Sequence, residues 1–210
     1  MIGVVDYGMG NLGSVLNACR FLGWSSRVVT QPEEIEGCEG LILPGVGAFG
    51  DCMRHLEEHG LSGPVKGWID SDRPFLGICL GLQVLFEGSE ESPGVPGLGV
   101  FKGMVRRFPP LPGLKVPQIG WNRISWNQPD HRVTEGIPSG AHVYFVHSYY
   151  VDNEDAGLTL ATTEYGVEYT SAIARGRLAA VQFHPEKSQK VGLRILRNFG
   201  ACCGAPMEAV

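Results

Sequence analysis

The chain has 210 residues, of which 43% are hydrophobic and 19% charged, and its formal net charge is −5. This length and composition predict a single domain over residues 1–210, with enough apolar side chains to form a packed core. The acidic balance, without any run of Lys or Arg, argues against nucleic acid as a partner, because phosphate binding needs a basic surface. No apolar run approaches the length of a membrane span, so we expect no membrane association.

The start of the chain and its cysteines both bear on the compartment. Residues 2–5 are apolar and Asp6 follows at once, which is typical of a strand and not of a signal peptide. We therefore expect a cytoplasmic protein whose cysteines are reduced. No two cysteines have the C-x-x-C spacing of a zinc finger or a redox dithiol, and no metal site is predicted. The six cysteines are Cys19, Cys38, Cys52, Cys79, Cys202 and Cys203.

Short apolar strands alternate with amphipathic helices in the first 86 residues. This alternation indicates an α/β fold with three layers, in which helices cover both faces of a mostly parallel sheet. The hydrophobic periodicity predicts strands at 2–5, 27–30, 40–43 and 75–78 and helices at 11–22, 51–59 and 80–86.

The pattern changes after Gly88. Residues 91–99 are rich in Pro and Gly and are predicted to form a loop. A last helix is predicted at 191–199, and nothing indicates an internal repeat or a linker between domains. Antiparallel additions to the sheet are predicted at 100–105, 121–124, 143–151, 159–163, 171–174 and 178–183.

One short motif resembles a dinucleotide-binding turn. Gly8, Gly10 and Gly13 form a G-x-G-x-x-G pattern directly after a strand. Asp6 would repel a pyrophosphate at this turn, and Thr30 stands where an acidic residue should meet a ribose hydroxyl. A tight turn that needs glycine is the favoured interpretation.

A second motif resembles a zinc site. His55 and His59 belong to an H-x-x-E-H pattern, and two His four residues apart share a helix face. A catalytic zinc needs a third ligand and an open position, and Gly60 ends the helix directly afterwards. The favoured interpretation is a solvated helix end, where the helix dipole favours His.

A third motif, Gly77-Ile78-Cys79-Leu80-Gly81, joins an apolar strand to an apolar helix. It is the nucleophile-elbow pattern G-x-S-x-G with Cys in place of Ser. Small residues let strand and helix pack around a sharp turn, and the helix N-terminus stabilises the thiolate, which is the reactive form. The backbone N–H of Leu80 is free to donate to an oxyanion. The alternative is a buried Cys between two packing glycines.

A cysteine nucleophile needs a base, and the base needs an orienting group. His184 follows the apolar stretch 178–183, so it lies at the carboxyl end of a predicted core strand, where open α/β sheets place active sites. If the chain stays extended through Pro185, the side chains of His184 and Glu186 point the same way. Glu186 then holds the imidazole in the tautomer that can accept a proton.

The segment 41–50 is predicted to be a strand that ends in a glycine-rich loop, Pro44-Gly45-Val46-Gly47. Such a loop can aim backbone N–H groups at an anion, here the oxyanion of an attacked amide. An ordinary flexible loop stays open as an alternative, because spacing alone does not distinguish the two.

These motifs together resemble those of the class I (triad) glutamine amidotransferases, which combine Gly-Ile-Cys-Leu-Gly with a later His-Pro-Glu. Further segments resemble one branch of that family, the glutaminase subunits of imidazole glycerol phosphate synthase from histidine biosynthesis. The resemblance covers nearly the whole chain and implies the amidotransferase fold with a flavodoxin-like core. The segments that carry it are 6–12, 43–50, 119–122, 144–149 and 184–188.

The resemblance implies that Cys79 attacks the side-chain amide of L-glutamine and that His184 and Glu186 complete the triad. It also implies an oxyanion site and a glutamine site, with no metal and no organic cofactor. The implied oxyanion donors are the backbone N–H groups around Val46, Gly47 and Leu80. The implied glutamine contacts are Gly45, Gln83, Glu91, His147, Ser148 and Tyr149.

In this family the ammonia passes to a separate cyclase subunit with a (β/α)₈ barrel, so the resemblance implies a heterodimer. The cyclase joins ammonia to a phosphoribulosyl-formimino aminoimidazole carboxamide ribonucleotide. The products are imidazole glycerol phosphate and an aminoimidazole carboxamide ribotide. Candidates for the interface or for a gate to ammonia are Asn11, Trp121, Asn122, Tyr144 and Lys187.

The chain departs from this branch at a few positions, none of them in the triad. Gly13 stands where a larger, often basic residue is usual, Gln118 and Ile119 replace a commoner His-Met, and residues 202–210 match nothing. Three alternatives stay open: a triad glutaminase of another synthase, a cysteine peptidase on a related fold, and a non-catalytic dinucleotide-binding module. The identity of a co-purifying partner, peptide cleavage and NAD binding distinguish them.

Overall fold

The computed structural model describes residues 1–9 and 11–205, so Gly10 of the G-x-G-x-x-G motif and residues 206–210 of the unmatched tail lie outside it. The strands are β1 (Ile2–Val5), β2 (Ser26–Val29), β3 (Gly40–Gly45), β4 (Phe75–Cys79), β5 (Gly88–Ser89), β6 (Gly103–Arg107), β7 (Gln118–Arg123), β8 (Ser125–Trp126), β9 (His142–His147), β10 (Tyr149–Asn153), β11 (Thr159–Glu164), β12 (Glu168–Arg175) and β13 (Leu178–Val181). The helices are α1 (Leu12–Phe21), α2 (Phe49–Glu58), α3 (Ser62–Asp70), α4 (Leu80–Gln83) and α5 (Gln189–Cys202). None of these helices of the described chain has the length and apolar character needed to cross a membrane.

A large sheet forms the centre of the described structure. Five parallel strands run in the order β2-β1-β3-β4-β13, which is the 2-1-3-4-5 order of flavodoxin-like folds. Beyond β13, the strands β12, β10 and β6 follow, each antiparallel to the one before it. The predicted α/β fold, with a mostly parallel core and antiparallel additions, is confirmed. The stretch 178–183 was wrongly predicted as an antiparallel addition, because β13 pairs with β4 as the fifth parallel strand.

Helices cover both faces of this sheet. Side chains alternate along each strand, so Ile42 of β3 packs in one apolar core and Leu43 packs in the other. The first core includes Phe199 of α5, and the second includes Trp68 of α3. The predicted three layers are therefore present, and the parallel strands lie between the two helical layers.

Helix α3 is not predicted by the sequence pattern, although Ser62–Asp70 form a regular helix. Gly63 and Gly67 disfavour a helix on intrinsic propensity. Pro64 lies in the first turn, where its missing N–H breaks no helical hydrogen bond. The side chain of Trp68 is buried against the sheet, so tertiary packing outweighs propensity here.

The predicted helix at 80–86 is wrong in its second half, because α4 is only four residues long. The carbonyl oxygens that would continue the helix accept hydrogen bonds from a neighbouring loop. Leu98 N–H donates to the Val84 oxygen at 2.7 Å, and Val100 N–H donates to the Leu85 oxygen at 2.8 Å. The local apolar pattern gives no sign of this competing loop.

The predicted strand at 143–151 is also wrong, because the chain changes sheet within it. β9 ends at His147 and β10 begins at Tyr149. Among the described strands, β9 pairs with β7 in a separate two-stranded antiparallel sheet, whereas β10 joins the central sheet. Ser148 stands at this change of sheet, where it can face the edge of the parallel strands.

Candidate active site

Cys79 lies where β4 meets α4, on a sharp turn with φ +54° and ψ −105°. A residue other than glycine rarely adopts this left-handed region, so the turn is strained. Gly81 is required by space, because a Cβ there would lie 1.9 Å from the carbonyl oxygen of Leu43. The turn directs the thiol above the carboxyl edge of the parallel strands, which is the geometry that a nucleophile elbow describes.

His184 and Glu186 form a hydrogen bond, with Nδ1 of the imidazole 2.8 Å from Oε1 of the carboxylate. Their side chains are 3% and 2% exposed, so the pair is desolvated. The expected extended backbone is wrong, because Pro185–Lys187 form a turn of 3₁₀ helix. The turn nevertheless brings the two side chains together. A carboxylate only accepts, so we assign the proton to Nδ1, which leaves Nε2 for the thiol.

The pKa of His184 is set by opposing effects. Burial lowers it, because the charged imidazolium loses solvation. The interactions with Cys79 and Glu186 outweigh burial and raise the pKa to about 9. Nε2 forms no hydrogen bond of normal geometry with any described residue. Cys79 therefore raises this pKa through the closeness of its thiol to the ring, without a hydrogen bond of normal geometry.

The glycine-rich loop after β3 lies beside Cys79. Gly45 is opposite Cys79 in the β3–β4 register, and Gly47 adopts φ +100°. Helix α2 begins directly after this loop, and Oε2 of Glu91 accepts the N–H of Phe49 at 2.7 Å. Glu91, a predicted glutamine contact, therefore also holds the helix start that follows the loop.

A cavity of about 210 Å³ joins these elements. The structure brings most of the predicted residues together around it, with Val146 as an unpredicted neighbour. Glu186 lies behind His184, and Gly45 lies behind Cys79, so neither lines the cavity itself. The lining residues are Val46, Gly47, Cys79, Leu80, Gln83, Glu91, Val146, His147, Ser148, Tyr149 and His184.

Sequence reasoning missed Gln182, a fully buried side chain beside the nucleophile. Its Nε2 lies 3.6 Å from Sγ of Cys79, and its Oε1 accepts from Nε2 of Gln83 at 3.0 Å. The same Gln83 nitrogen donates to the carbonyl oxygen of Tyr149 at 3.0 Å, so only the Gln83 oxygen is left for a ligand. The available signal was a polar residue inside the apolar stretch 178–183.

His147, a predicted glutamine contact, has both ring nitrogens engaged. Nδ1 lies 2.7 Å from the carbonyl oxygen of Tyr149, and Nε2 lies 3.2 Å from the hydroxyl of Tyr169. Burial is the main cause that lowers the pKa of His147 to about 4, so the ring is neutral. The ring can therefore offer a surface to a ligand in the cavity but no free donor or acceptor.

Three of the candidate interface residues lie on the two-stranded sheet next to His184: Trp121 and Asn122 on β7, and Tyr144 on β9. Trp121 is 47% exposed, and its ring meets that of Tyr144 edge to face at a centroid distance of 6.0 Å. The carbonyl of Tyr144 accepts the N–H of His184 at 2.9 Å, which connects this sheet to the triad. Asn122 donates to the carbonyl oxygen of Glu164 at 2.9 Å, so its amide is committed within the protein.

The two other interface candidates lie at the same end of the molecule. Asn11 directly precedes α1, is exposed and makes no side-chain capping bond. Lys187 is exposed on the 3₁₀ turn that carries Glu186, and α1 packs against this turn. Ile119 adds a 63% exposed apolar side chain on β7.

The H-x-x-E-H and G-x-G-x-x-G motifs make contacts within the protein that favour the structural interpretations. His55 and His59 stack at a centroid distance of 6.3 Å, and Nδ1 of His59 bonds to the carbonyl of His55 at 2.8 Å. Within residues 1–9 and 11–205, no three or more His, Cys, Asp or Glu side chains are grouped to hold a metal. At the glycine-rich turn, the carboxylate of Asp6 accepts the N–H of Gly8 at 2.8 Å and so occupies the position that a pyrophosphate would need.

Comparison with known sequences places this geometry in a family. The family pattern of glutamine amidotransferase class-I matches residues 3–202. Imidazole glycerol phosphate synthase subunit HisH from Microcystis aeruginosa is 49% identical over 200 residues, which cover 95% of this chain and 94% of that protein. Subunit HisH from Nostoc punctiforme is 50% identical over 202 residues, with 96% and 95% covered.

Solved structures agree at the level of the fold. A crystal structure described as glutamine amidotransferase matches with a TM-score of 0.75 at 23% identity, covering 97% of this chain and 98% of that one. A structure of PurLQS from Thermotoga maritima matches with a TM-score of 0.73 at 16% identity, covering 94% and 96%. At such identities these structures support the shared fold alone.

Proposed function

Because the chain belongs to the class I glutamine amidotransferase family and, within it, to the HisH subunits, we propose that Cys79 hydrolyses glutamine and that the ammonia goes to a cyclase subunit. The family predicted from the motifs is confirmed. The observation that carries the proposal is Cys79 on its strained turn, in one cavity with a His184 oriented by Glu186 at 2.8 Å. We propose further that residues 1–210 form one domain and that it works in the cytoplasm, where its six free thiols stay reduced.

The first half of the proposed reaction forms a thioester. The thiolate of Cys79 attacks the side-chain amide carbon of glutamine, and the carbonyl electrons move to oxygen as a tetrahedral oxyanion. The imidazolium of His184 then donates its Nε2 proton to the amide nitrogen, which leaves as ammonia. The raised pKa of His184, about 9, keeps this proton in place at neutral pH until the leaving group takes it.

The second half regenerates the enzyme. The neutral imidazole of His184 takes a proton from water, and the hydroxide attacks the glutamyl thioester. Collapse of the second tetrahedral intermediate breaks the C–S bond and releases glutamate and the thiolate of Cys79. Glu186 stays ionised and holds the ring so that Nε2 faces the reacting atoms in both halves.

The cavity walls suggest how glutamine is held. Backbone N–H groups around Val46, Gly47 and Leu80 are the proposed oxyanion donors, since all three residues line the cavity next to Cys79. The proposed contacts to the rest of glutamine are the oxygen of Gln83, the carboxylate of Glu91, the ring surface of His147 and the residues Gly45, Ser148 and Tyr149. An amino-acid substrate needs such opposed polar groups to satisfy its ammonium and carboxylate.

The proposed partner is a cyclase with a (β/α)₈ barrel, in a heterodimer that makes imidazole glycerol phosphate and an aminoimidazole carboxamide ribotide for histidine biosynthesis. Support comes from the identity to relatives named as synthase subunits. Ammonia released in water is protonated and loses its nucleophilicity, so direct transfer protects it. Trp121 and Tyr144 are proposed to border the path, because their rings meet edge to face and the carbonyl of Tyr144 accepts the N–H of His184. Asn11, Asn122 and Lys187 are the further proposed interface residues.

The deciding experiment measures glutamate released from glutamine by the purified chain. It is run with the chain alone, with the barrel cyclase, and with the cyclase and its ribonucleotide ligand. We expect weak release alone and a sharp rise in the liganded complex. Ammonium salt replaces glutamine in a control, which shows that the cyclase and its ligand are competent. No release in any condition, with the complex verified by gel filtration, contradicts the proposal.

A further inference from the structure

Cys79 has a polar neighbour that the triad does not include. Gln182 is fully buried, and its Nε2 lies 3.6 Å from Sγ, within the range of an N–H···S hydrogen bond. We propose that the amide of Gln182 donates this bond to the Cys79 thiolate and thereby stabilises and positions the nucleophile. The inference rests on the proposed glutaminase function and adds a residue to its chemistry.

The orientation of the Gln182 amide follows from its neighbours. The carbonyl oxygen of Tyr149 can only accept, so the Gln83 atom 3.0 Å away from it is the nitrogen Nε2. The same nitrogen lies 3.0 Å from the Gln182 amide, so the Gln182 atom that faces it is the oxygen. The nitrogen of Gln182 is therefore the atom that faces Cys79, and it has a proton to donate.

The hydrogen bonds that run from the Tyr149 carbonyl through Gln83 to Gln182 are held in place at both ends. Gln182 continues from β13, and its backbone N–H donates to the carbonyl of Ser171 at 2.8 Å. At the other end, the Tyr149 oxygen accepts from Gln83 and also from Nδ1 of His147 at 2.7 Å, which uses both of its lone pairs. The Gln83 amide cannot exchange partners there without leaving a buried group unpaired, which is costly.

The proposed donor assists His184 whenever the sulfur carries negative charge. The imidazolium of His184 faces the thiolate before the first attack and again after it has taken a proton from water in the second half, and the Gln182 amide supplies a second, neutral donor in both states. A hydrogen bond to a charged acceptor is stronger than one to a neutral acceptor, so the Gln182 bond is strongest when sulfur is a thiolate. Gln182 therefore favours formation of the nucleophile and its departure in the second half of the reaction.

The test uses Gln182→Met, which keeps the length of the side chain but has no donor, and Gln182→Asn, which keeps the amide but draws it back from sulfur. One readout is the rate at which iodoacetamide alkylates Cys79, followed against pH by peptide mass spectrometry. The other is glutamate release in the liganded complex. For each variant we expect both rates at neutral pH to fall about 10- to 100-fold, as for the loss of a bond to a charged group. The alkylation profile shifts to higher pH, and KM changes little.

The matched control is Gln128→Met. Gln128 donates to the backbone oxygens of Gly157 and Thr159 at 2.9 and 3.1 Å and lies outside the cavity, so both rates should stay unchanged. Circular dichroism confirms folding of each variant. Unchanged alkylation profiles in a folded Gln182→Met or Gln182→Asn protein overturn the inference, and so does unfolding of both, since that assigns Gln182 to stability alone.

Different results would contradict the glutaminase function and the proposed Gln182–Cys79 contact. If the wild-type complex releases no glutamate but alkylation of Cys79 depends on Gln182, the glutaminase function is wrong and the contact stands. If glutamate is released and Cys79→Ala abolishes release, but the Gln182 variants match the wild type in both readouts, the function stands and the contact carries no chemistry.

Discussion

Two buried histidines that line the same cavity have proton affinities shifted in opposite directions. The pKa of His184 is raised to about 9, whereas the pKa of His147 is lowered to about 4. Burial acts in the same direction on both, because each imidazolium would lose solvation. The difference lies in their partners, since His184 faces Cys79 and the carboxylate of Glu186, while His147 meets a backbone carbonyl and the neutral hydroxyl of Tyr169.

One small cavity therefore contains a histidine that can hold a proton, His184, and a histidine that stays neutral, His147. A charged partner is needed for a buried histidine to hold a proton, and only the His184 side has one. His147 stays neutral beside it, which avoids two imidazolium ions in one desolvated site. In the proposed mechanism, the His147 side provides a neutral wall and the His184 side provides the acid. Each of the following substitutions tests the surroundings of either His184 or His147.

The largest effect is expected from Cys79→Ala. Removal of the nucleophile should lower glutamate release by about 10⁴-fold or more, as for other residues of a catalytic triad. It also removes the thiol whose interactions raise the pKa of His184, so that pKa should fall below about 9 while the pKa of His147 stays low. Glutamate assays and NMR titration of the ring carbons measure these two changes.

The matched control for this change is Cys202→Ala. Cys202 lies at the end of α5, where its thiol contacts the carbonyl of Asn198 at 3.4 Å, away from the cavity. Its replacement should leave glutamate release and the His184 titration unchanged. Residual turnover of the Cys79→Ala protein at the level of this control would contradict the assignment of the nucleophile.

Glu186→Gln should have the next largest effect. The amide keeps the shape of the side chain but removes the charge, and it can present a donor to Nδ1, which favours the wrong tautomer of His184. We expect glutamate release to fall by about 10³- to 10⁴-fold, by analogy with neutralisation of the third residue in a serine triad. The pKa of His184 should fall in the NMR titration, and that of His147 should not. A His184 titration identical to that of the wild type would show that the carboxylate does not set it.

The lowered pKa of His147 predicts that the free energy of unfolding depends on pH. The folded pKa of His147, about 4, lies below the unfolded value of about 6.5, so the unfolded chain binds more protons between these values. The stability that this group provides is fully present above about pH 6.5 and is lost as the pH falls toward about 4. The loss amounts to about 3 kcal/mol, from about 1.4 kcal/mol per pKa unit.

The change that tests this dependence is His147→Gln, which cannot be protonated in this range. Urea unfolding of variant and wild type is compared at neutral pH and near the acid end of the range. The wild type should lose up to about 3 kcal/mol more free energy of unfolding on acidification than the variant. Parallel losses in the two proteins would place the acid sensitivity elsewhere.

The smallest effect is expected from Tyr169→Phe, which removes the hydroxyl next to Nε2 of His147. The free energy of unfolding should fall by about 1 kcal/mol, and glutamate release should change by a few-fold at most. Tyr165→Phe is a matched control, because both rings meet Phe108 edge to face, at 5.4 and 5.3 Å, and the Tyr165 hydroxyl donates to the exposed carbonyl of Lys115. A larger loss from Tyr165→Phe in urea unfolding would contradict the importance of the buried bond.

The sequence predicted those parts of the fold in which local pattern and tertiary structure agree. The parallel core strands and helices α1, α2 and α5 follow hydrophobic periodicity, since each buries one regular face. Helix α3 was missed because Gly63, Pro64 and Gly67 hide a helix that packing stabilises. The strand predicted at 143–151 was wrong because nothing local to Ser148 indicates that its two sides join different sheets.

Within the candidate site, too, some residues could be predicted from local sequence and others depend on tertiary contacts. Cys79, His184 and Glu186 could be singled out because their chemistry requires particular residue types next to glycines or at strand ends. Gln182 was missed because its importance depends on an amide orientation, which is fixed by Gln83 from a distant part of the chain. Likewise, the backbone expected around Pro185 was extended, and the structure has a 3₁₀ turn that reaches the same contact.

The family, the α/β layering and the identity of the candidate triad therefore follow from the amino-acid sequence, because motif spacing and hydrophobic periodicity are local properties of the chain. Which side chains are desolvated together, and which hydrogen-bond partners they keep, depends on contacts between distant segments. Proton affinity depends on these surroundings, so two histidines that look alike in the sequence, His147 and His184, become a neutral wall and an acid.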